Sequence, residues 1–122
     1  MSVRSPANTE FVADWHRFLG NTRCVTNDPM EAMLVGFKMC AQAVAQASST
    51  AVDAVREAMY GRKVAAPCGF ELEMHRNHHL SKPVMIGEIQ ADGQFNVVWR
   101  TPAPIVAGNW SPFIPENANR RR

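Results

Sequence analysis

The chain has 122 residues, of which 46% are hydrophobic, and a formal net charge of +2. This length fits a single small domain, close to the size at which stability becomes marginal. The charge is too small to indicate a nucleic-acid-binding protein by itself. The clustered positive charge is Arg120 to Arg122, where a solvated tail is a better interpretation than a phosphate-binding arm.

The three cysteines, Cys24, Cys40 and Cys68, exclude two kinds of site. Their odd number and the absence of a C-x-x-C pair exclude a complete disulfide framework and the usual thiolate zinc site. Cys40 lies in a helical apolar stretch and is predicted to be a small core residue. Cys68, between Pro67 and Gly69, is predicted to lie in a turn, where its thiol could be exposed.

Residues 1–61 have a helical pattern with three segments. The first, "NTEFVADWHRFLG", ends at Gly20, and the third, "STAVDAVREAMYG", begins with Thr50 as a cap and ends at Gly61. The second, "DPMEAMLVGFKMCAQAVAQA", is predicted to begin with Asp28 as N-cap and Glu31 in a capping box. The apolar face predicted for this second helix consists of Met33, Leu34, Phe37, Ala41 and Val44.

Residues 62–101 change to a strand pattern. Alternation in "FELEMH" predicts a half-buried strand with Leu72 inward. Asp92 and Gly93, between two further strands, predict a hairpin whose two central residues have positive φ. In the second strand of that hairpin, Phe95, Val97 and Trp99 are predicted to share one face.

Residues 102–122 are proline-rich, and we expect an extended surface tail that holds Trp110 and Phe113 in place. The three parts are expected to form one domain over residues 1–122. In isolation its fold is predicted to be α+β, with three helices, an antiparallel β-hairpin region and an irregular tail.

Three histidines, His75, His78 and His79, precede the hairpin. Adjacent side chains of an extended segment point to opposite faces, so His78 and His79 would not converge on one ion. A polar connection with side-chain-to-backbone hydrogen bonds is the better interpretation. No motif places a base beside a nucleophile either, so we expect no metal, no cofactor, no catalytic residue and no enzymatic activity.

A longer pattern carries a resemblance. The stretches "VTNDPMEA", "GFKMCAQAV", "NHHLSKPVMIGEIQADGQFNVVW" and "WSPFIPE" together resemble the C-terminal part of urea-type substrate-binding proteins of ABC transporters, of the branched-chain amino acid class. The resemblance implies the α/β fold of a type I periplasmic binding protein lobe, present here as a fragment. It also implies a two-lobe protein that holds a short amide in its cleft and passes it to a membrane permease.

In that family the turn before the second helix approaches the cleft. The resemblance therefore makes Asp28 and Glu31 the candidate solute-binding residues, since carboxylates accept from amide N–H groups. The alternative, which the sequence pattern favours, is that both residues only cap the helix.

Two functions remain open from the sequence. The first is solute binding for urea or short amides; the second is an oligomeric interaction or regulatory module that has lost transport. The family works in the periplasm, whereas the N-terminal sequence has no apolar signal segment and predicts a cytoplasmic chain without membrane insertion. Apolar helix faces without a parallel sheet to cover them predict a homo-oligomer, namely a twofold dimer with exchanged elements or paired hairpin edges. The residues of these faces are Phe11, Trp15, Phe18, Leu34 and Phe37. The low net charge predicts no nucleic-acid partner.

Overall fold

A computed structural model describes residues 2–117 and 119–120. Within these residues the chain folds into three α-helices and two antiparallel strand pairs, which confirms the predicted α+β arrangement. Along the chain these are α1 (Pro6–Leu19), α2 (Asp28–Ala47), α3 (Val52–Met59), β1 (Lys63–Ala65), β2 (Glu71–Glu73), β3 (Met85–Ile89) and β4 (Phe95–Arg100). A short 3-10 helix, Pro115–Asn117, follows.

The ends of α1 follow from its sequence. The Ser5 side chain caps the helix by accepting from the backbone N–H of Asn8 at 3.0 Å, and its hydroxyl donates to the carbonyl of Pro67 at 2.6 Å. Gly20 adopts the left-handed conformation at the C-cap, with φ of 63°, as predicted.

The start of α2 differs by one residue from the prediction. Asn27, not Asp28, is the N-cap, and its side-chain oxygen accepts from the N–H of Met30 at 3.1 Å. With the cap at Asn27, the third helical position is Met30, and Glu31 stands one position too far to complete a capping box. The predicted Thr50 cap of α3 is also wrong, because Ala51 occupies that position and makes no side-chain cap hydrogen bond.

The core forms where α2 meets the β1–β2 pair. The buried stripe of α2 repeats every four residues, and it is not the predicted apolar face: Met33 and Phe37 are 74% and 70% exposed. Because α2 is apolar around most of its circumference, periodicity did not identify the side that packs. The buried residues of α2 are Glu31, Val35, Met39 and Ala43, and the apolar core cluster comprises Val35, Met39, Val64, Ala66, Cys68 and Leu72.

The first strand pair partly matches the sequence pattern. Leu72 on β2 is buried as predicted and lies opposite Val64 of β1, a three-residue strand that was not predicted. Cys68 lies in a turn as predicted, but its thiol is not exposed, because it is buried in the core cluster. The prediction that Cys40 is a core residue is wrong, since Cys40 is exposed on α2.

The β3–β4 hairpin forms around Asp92 and Gly93 as predicted, but with a different turn. Gly93 alone of the two has positive φ, at 77°. The carbonyl of Gln90 accepts from Gly93 N–H at 2.9 Å, which describes a three-residue loop with a left-handed glycine.

A bulge in β4 changes which face Trp99 occupies. Val97 pairs with Gly87 and Trp99 with Ile86, so Val98 is the extra residue. Neighbours on β3 point to opposite faces, and their partners on β4 therefore do so as well. Trp99 thus lies on the face opposite to Val97, and the prediction that they share a face is wrong.

The proline-rich tail is partly tied to the sheet region. Ile105 forms an isolated antiparallel bridge with Lys82. Phe113 is 92% exposed, so the tail does not hold this side chain against the rest of the protein as predicted. The guanidinium of Arg120 lies 5.1 Å from the centre of the Trp110 ring. Residues 121 and 122 of the predicted basic tail lie outside the described residues.

The cap of α2 gives a direct test of this fold. Asn27→Ala removes the hydrogen bond to Met30 and is expected to lower the free energy of unfolding by about 1 kcal/mol. Asp28→Ala, the matched control at the position where the sequence suggested the cap, is expected to cost less than half as much. Chemical denaturation of both variants measures this, and an unchanged free energy of unfolding in Asn27→Ala would contradict the placement of the cap.

Candidate functional site

Asp28 and Glu31 meet at one ammonium group, that of Lys82. The Oδ1 atom of Asp28 accepts from Lys82 Nζ, and the Oε2 atom of Glu31 lies 3.0 Å from the same nitrogen. The structure thus brings both candidate residues together. Sequence reasoning missed Lys82, which stands 54 positions from Asp28, so no local spacing pattern links the two.

Glu31 is the buried member of this cluster, with 1% of its surface exposed. Its second oxygen, Oε1, accepts from the backbone N–H of Cys68, so both carboxylate oxygens have partners inside the protein. A buried carboxylate needs such partners, because leaving water is costly for a charge. Glu31 therefore joins α2 to the turn before β2 and to the Lys82 segment, and its predicted helix-capping role is wrong.

Asp28 is the exposed member, with 71% of its side chain accessible. As the first residue of α2 it borders two neighbouring cavities of about 360 and 430 Å³. Both volumes fall in the range of small-molecule sites. The two cavities share Val3, Asp28 and Met85, and the smaller one also contains Glu31, Cys68 and Lys82. Asp28 thus stands at their common border, where a solute can reach it.

Two reactive groups of the site are held in their protonated forms. Burial raises the pKa of the Cys68 thiol, and the nearby Glu31 carboxylate raises it further. Burial acts to lower the pKa of Lys82, but its hydrogen bonds to Asp28 and Glu31 outweigh that effect and raise it. Thiolates and neutral amines are the nucleophilic forms. At neutral pH the site therefore presents a fixed ammonium and an exposed carboxylate.

The histidines lie away from this cluster, in a tight turn after β2. His78 has a left-handed backbone, with φ of 63°, and its Nε2 lies 3.0 Å from the hydroxyl of Tyr60. His79 Nδ1 lies 2.9 Å from the carbonyl of Asn77, whose side chain accepts from His79 N–H. The expected side-chain-to-backbone hydrogen bonds are present. Among residues 2–117 and 119–120, no group of three or more His, Cys, Asp or Glu side chains could hold a metal ion.

Removing the buried charge tests how far the site depends on Glu31. Glu31→Gln keeps an acceptor for Cys68 N–H but leaves Lys82 without one of its two carboxylate partners. This substitution is expected to lower the free energy of unfolding by about 1–3 kcal/mol. Asp28→Asn changes the exposed partner of the same ammonium and is expected to cost less than about 1 kcal/mol. Equal losses in denaturant unfolding would contradict the structural role of Glu31.

The raised pKa of Cys68 predicts a pH dependence of stability. Above the ordinary thiol pKa of about 8.5, the unfolded chain loses this proton before the folded chain does. The contribution of Cys68 is therefore complete below that pH and falls as the pH rises through it. Cys68→Ala should flatten the alkaline decline in the free energy of unfolding, whereas Cys40→Ala, at an exposed thiol, should leave it unchanged. An unchanged decline in Cys68→Ala would refute the assignment.

No helix of the described part of the chain combines the length and the apolar character needed to cross a membrane.

The chain aligns over 106 residues, at 30% identity, with a protein of Geobacillus stearothermophilus named limonene hydroxylase. The alignment covers 87% of this chain and 19% of that relative, so the chain spans about a fifth of the relative's length. The family model described as a periplasmic binding protein domain matches residues 1–116. With that match extending over nearly its whole length, the chain belongs to the periplasmic binding protein domain family.

Proposed function

We propose that the chain binds a small neutral amide, such as urea, without catalysing a reaction on it. The observation that carries this proposal is the exposed carboxylate of Asp28, held by Lys82 at the border of two cavities. Membership of a family of solute-binding domains supports binding as the general role.

The Asp28–Lys82 pair complements both sides of an amide. Urea donates through its N–H groups and accepts through its carbonyl, and a carboxylate oxygen of Asp28 can accept from such an N–H. An ammonium group has three donors. Two point to the carboxylates of Asp28 and Glu31, which leaves one for a solute carbonyl. Because Glu31 anchors Lys82, donor and acceptor keep a fixed separation.

Enclosure of the solute would come from beyond this chain. Binding proteins with two lobes close over a ligand and surround it with convergent polar groups. The described residues provide one wall of such a cleft, with its polar pair at Asp28 and Lys82. In the proposed role the solute is captured in the periplasm and handed to an ABC permease.

A second candidate function is an interaction or regulatory module without solute binding. It is favoured by large apolar side chains on the surface: Phe18 is 81%, Met33 74% and Phe37 70% exposed. Met33 and Phe37 lie four residues apart on α2 and thus on one side of the helix. A contiguous exposed apolar patch is typical of surfaces that contact another protein.

Calorimetric titration with urea, formamide and acetamide tests the solute-binding proposal. A saturable heat is expected for at least one of them. Asp28→Ala should weaken binding about tenfold, the loss typical of one charge-assisted hydrogen bond. Asp14→Ala removes an exposed carboxylate on α1 and is the matched control, expected to bind like the unmodified chain.

Two outcomes would count against the proposal. Absence of heat with all the amides, from a chain shown to be folded, would exclude amide binding and favour the interaction module. Equal affinity of Asp28→Ala and the unmodified chain would show that the solute lies elsewhere.

A further inference from the structure

The β3–β4 hairpin is poorly covered by the rest of the molecule. Within the described residues, no Cα atom of either strand lies within 8 Å of a Cα atom in any helix or in β1 or β2. Apolar side chains are exposed on both faces, including Ile89 at 72%, Ile86 at 56% and Trp99 at 50%. Met85 of β3 packs against the core cluster, whereas Ile86, Ile89 and Trp99 are half or more exposed. A two-stranded hairpin with little of its apolar surface covered is at best marginally stable in water, so this one is expected to gain from a further strand.

The outer edge of β4 is unsuitable for that strand. The extra residue Val98 breaks its regular spacing of backbone donors and acceptors. At its start the N–H of Phe95 already donates to the hydroxyl of Ser2 at 2.9 Å. The β4 edge is therefore blocked at two places.

The outer edge of β3 is open. Backbone hydrogen bonds at Val84 and Gln90, on either side of the strand, point toward the β4 side. In an antiparallel pair this direction alternates along the strand, so the backbone groups of Met85, Gly87 and Ile89 point outward. Within the described part of the chain, no backbone hydrogen bond from outside the hairpin reaches those three residues.

The total accessible surface is larger than expected for a folded protein of this mass. The chain exposes 8769 Å², whereas a folded monomer of 13.6 kDa is expected to expose about 6,600 Å². The excess, about 2,200 Å², exceeds the roughly 800 Å² that each partner buries in an interface of standard size. The exposed surface is therefore large enough to supply an interface of standard size to a second copy of the chain.

We infer that two copies of this chain pair through their β3 edges as a twofold dimer with a continuous four-stranded antiparallel sheet. The pairing centres on Gly87, because that register pairs every residue from Met85 to Ile89. It places Ile86 of one copy opposite Glu88 of the other. A register centred on Glu88 would instead place two carboxylates opposite each other, which is unfavourable. The blocked β4 edge limits growth to two copies.

This inference does not depend on solute binding, and a pair of charge substitutions tests it. Ile86→Glu places a carboxylate opposite Glu88 of the other copy, at both symmetric positions, whereas Ile86→Lys places an ammonium there. The two variants lose the same apolar side chain. At low salt the dimer dissociation constant of Ile86→Glu is nevertheless expected to be at least about tenfold higher than that of Ile86→Lys. Val98→Glu and Val98→Lys, on β4, are the matched controls and should not differ from each other.

Light scattering after size-exclusion chromatography, over a dilution series, measures the dissociation constants, and circular dichroism checks that each variant is folded. Pairing through the β3 edge is supported if the unmodified chain and Ile86→Lys form a dimer and Ile86→Glu forms a weaker one. The inference is overturned if the unmodified chain is monomeric at every concentration. It is also overturned if the two Ile86 variants have the same dimer dissociation constant.

Discussion

The buried carboxylate of Glu31 is the contact on which the arrangement of this molecule depends. It lies on the inward stripe of α2, among apolar residues, and its two oxygens are taken by the N–H of Cys68 and the ammonium of Lys82. Removing a partner from a buried charge costs far more stability than breaking an exposed ion pair, because water cannot replace the lost partner. Three segments distant in the sequence are therefore held in one relative position.

The position of Asp28 is a consequence of this contact. Its side chain is exposed and would otherwise be mobile, as most surface carboxylates are. Lys82 is fixed by Glu31 and holds one of its oxygens, so a polar pair of known geometry stands beside two cavities. Raised pKa values keep the thiol of Cys68 and the amine of Lys82 protonated. These features support recognition of a neutral polar solute, the role we propose within the periplasmic binding protein domain family.

The packing is concentrated in one part of the chain. α2 packs against α3 and β1, and β1 pairs with β2. Among the described residues α1 has no such contact with another helix or strand, and the β3–β4 hairpin contributes Met85, which packs against the core cluster. Secondary structure that buries little apolar surface gains little stability from the hydrophobic effect. The exposed hairpin and the exposed side of α2 are consequently the surfaces where an additional protein surface would contribute most.

The sequence by itself determined the elements whose signals are local. Three helices, the end of α1 at Gly20, the strand around Leu72 and the hairpin at Gly93 follow from periodicity and turn chemistry, which depend on neighbouring residues. Asp28 and Glu31 were named as candidate solute-binding residues through the resemblance to solute-binding proteins, and that role stays a prediction.

Only the tertiary structure decided which of these residues act together. The buried side of α2, the role of Glu31 and the participation of Lys82 depend on contacts between distant segments, and periodicity carries no information about such contacts. The face of Trp99 depends on a bulge, which follows from the pairing of two strands and not from alternation along one. Contacts with the distant residues Cys68 and Lys82 likewise make Glu31, an apparent helix cap, the buried charge that supports the candidate site.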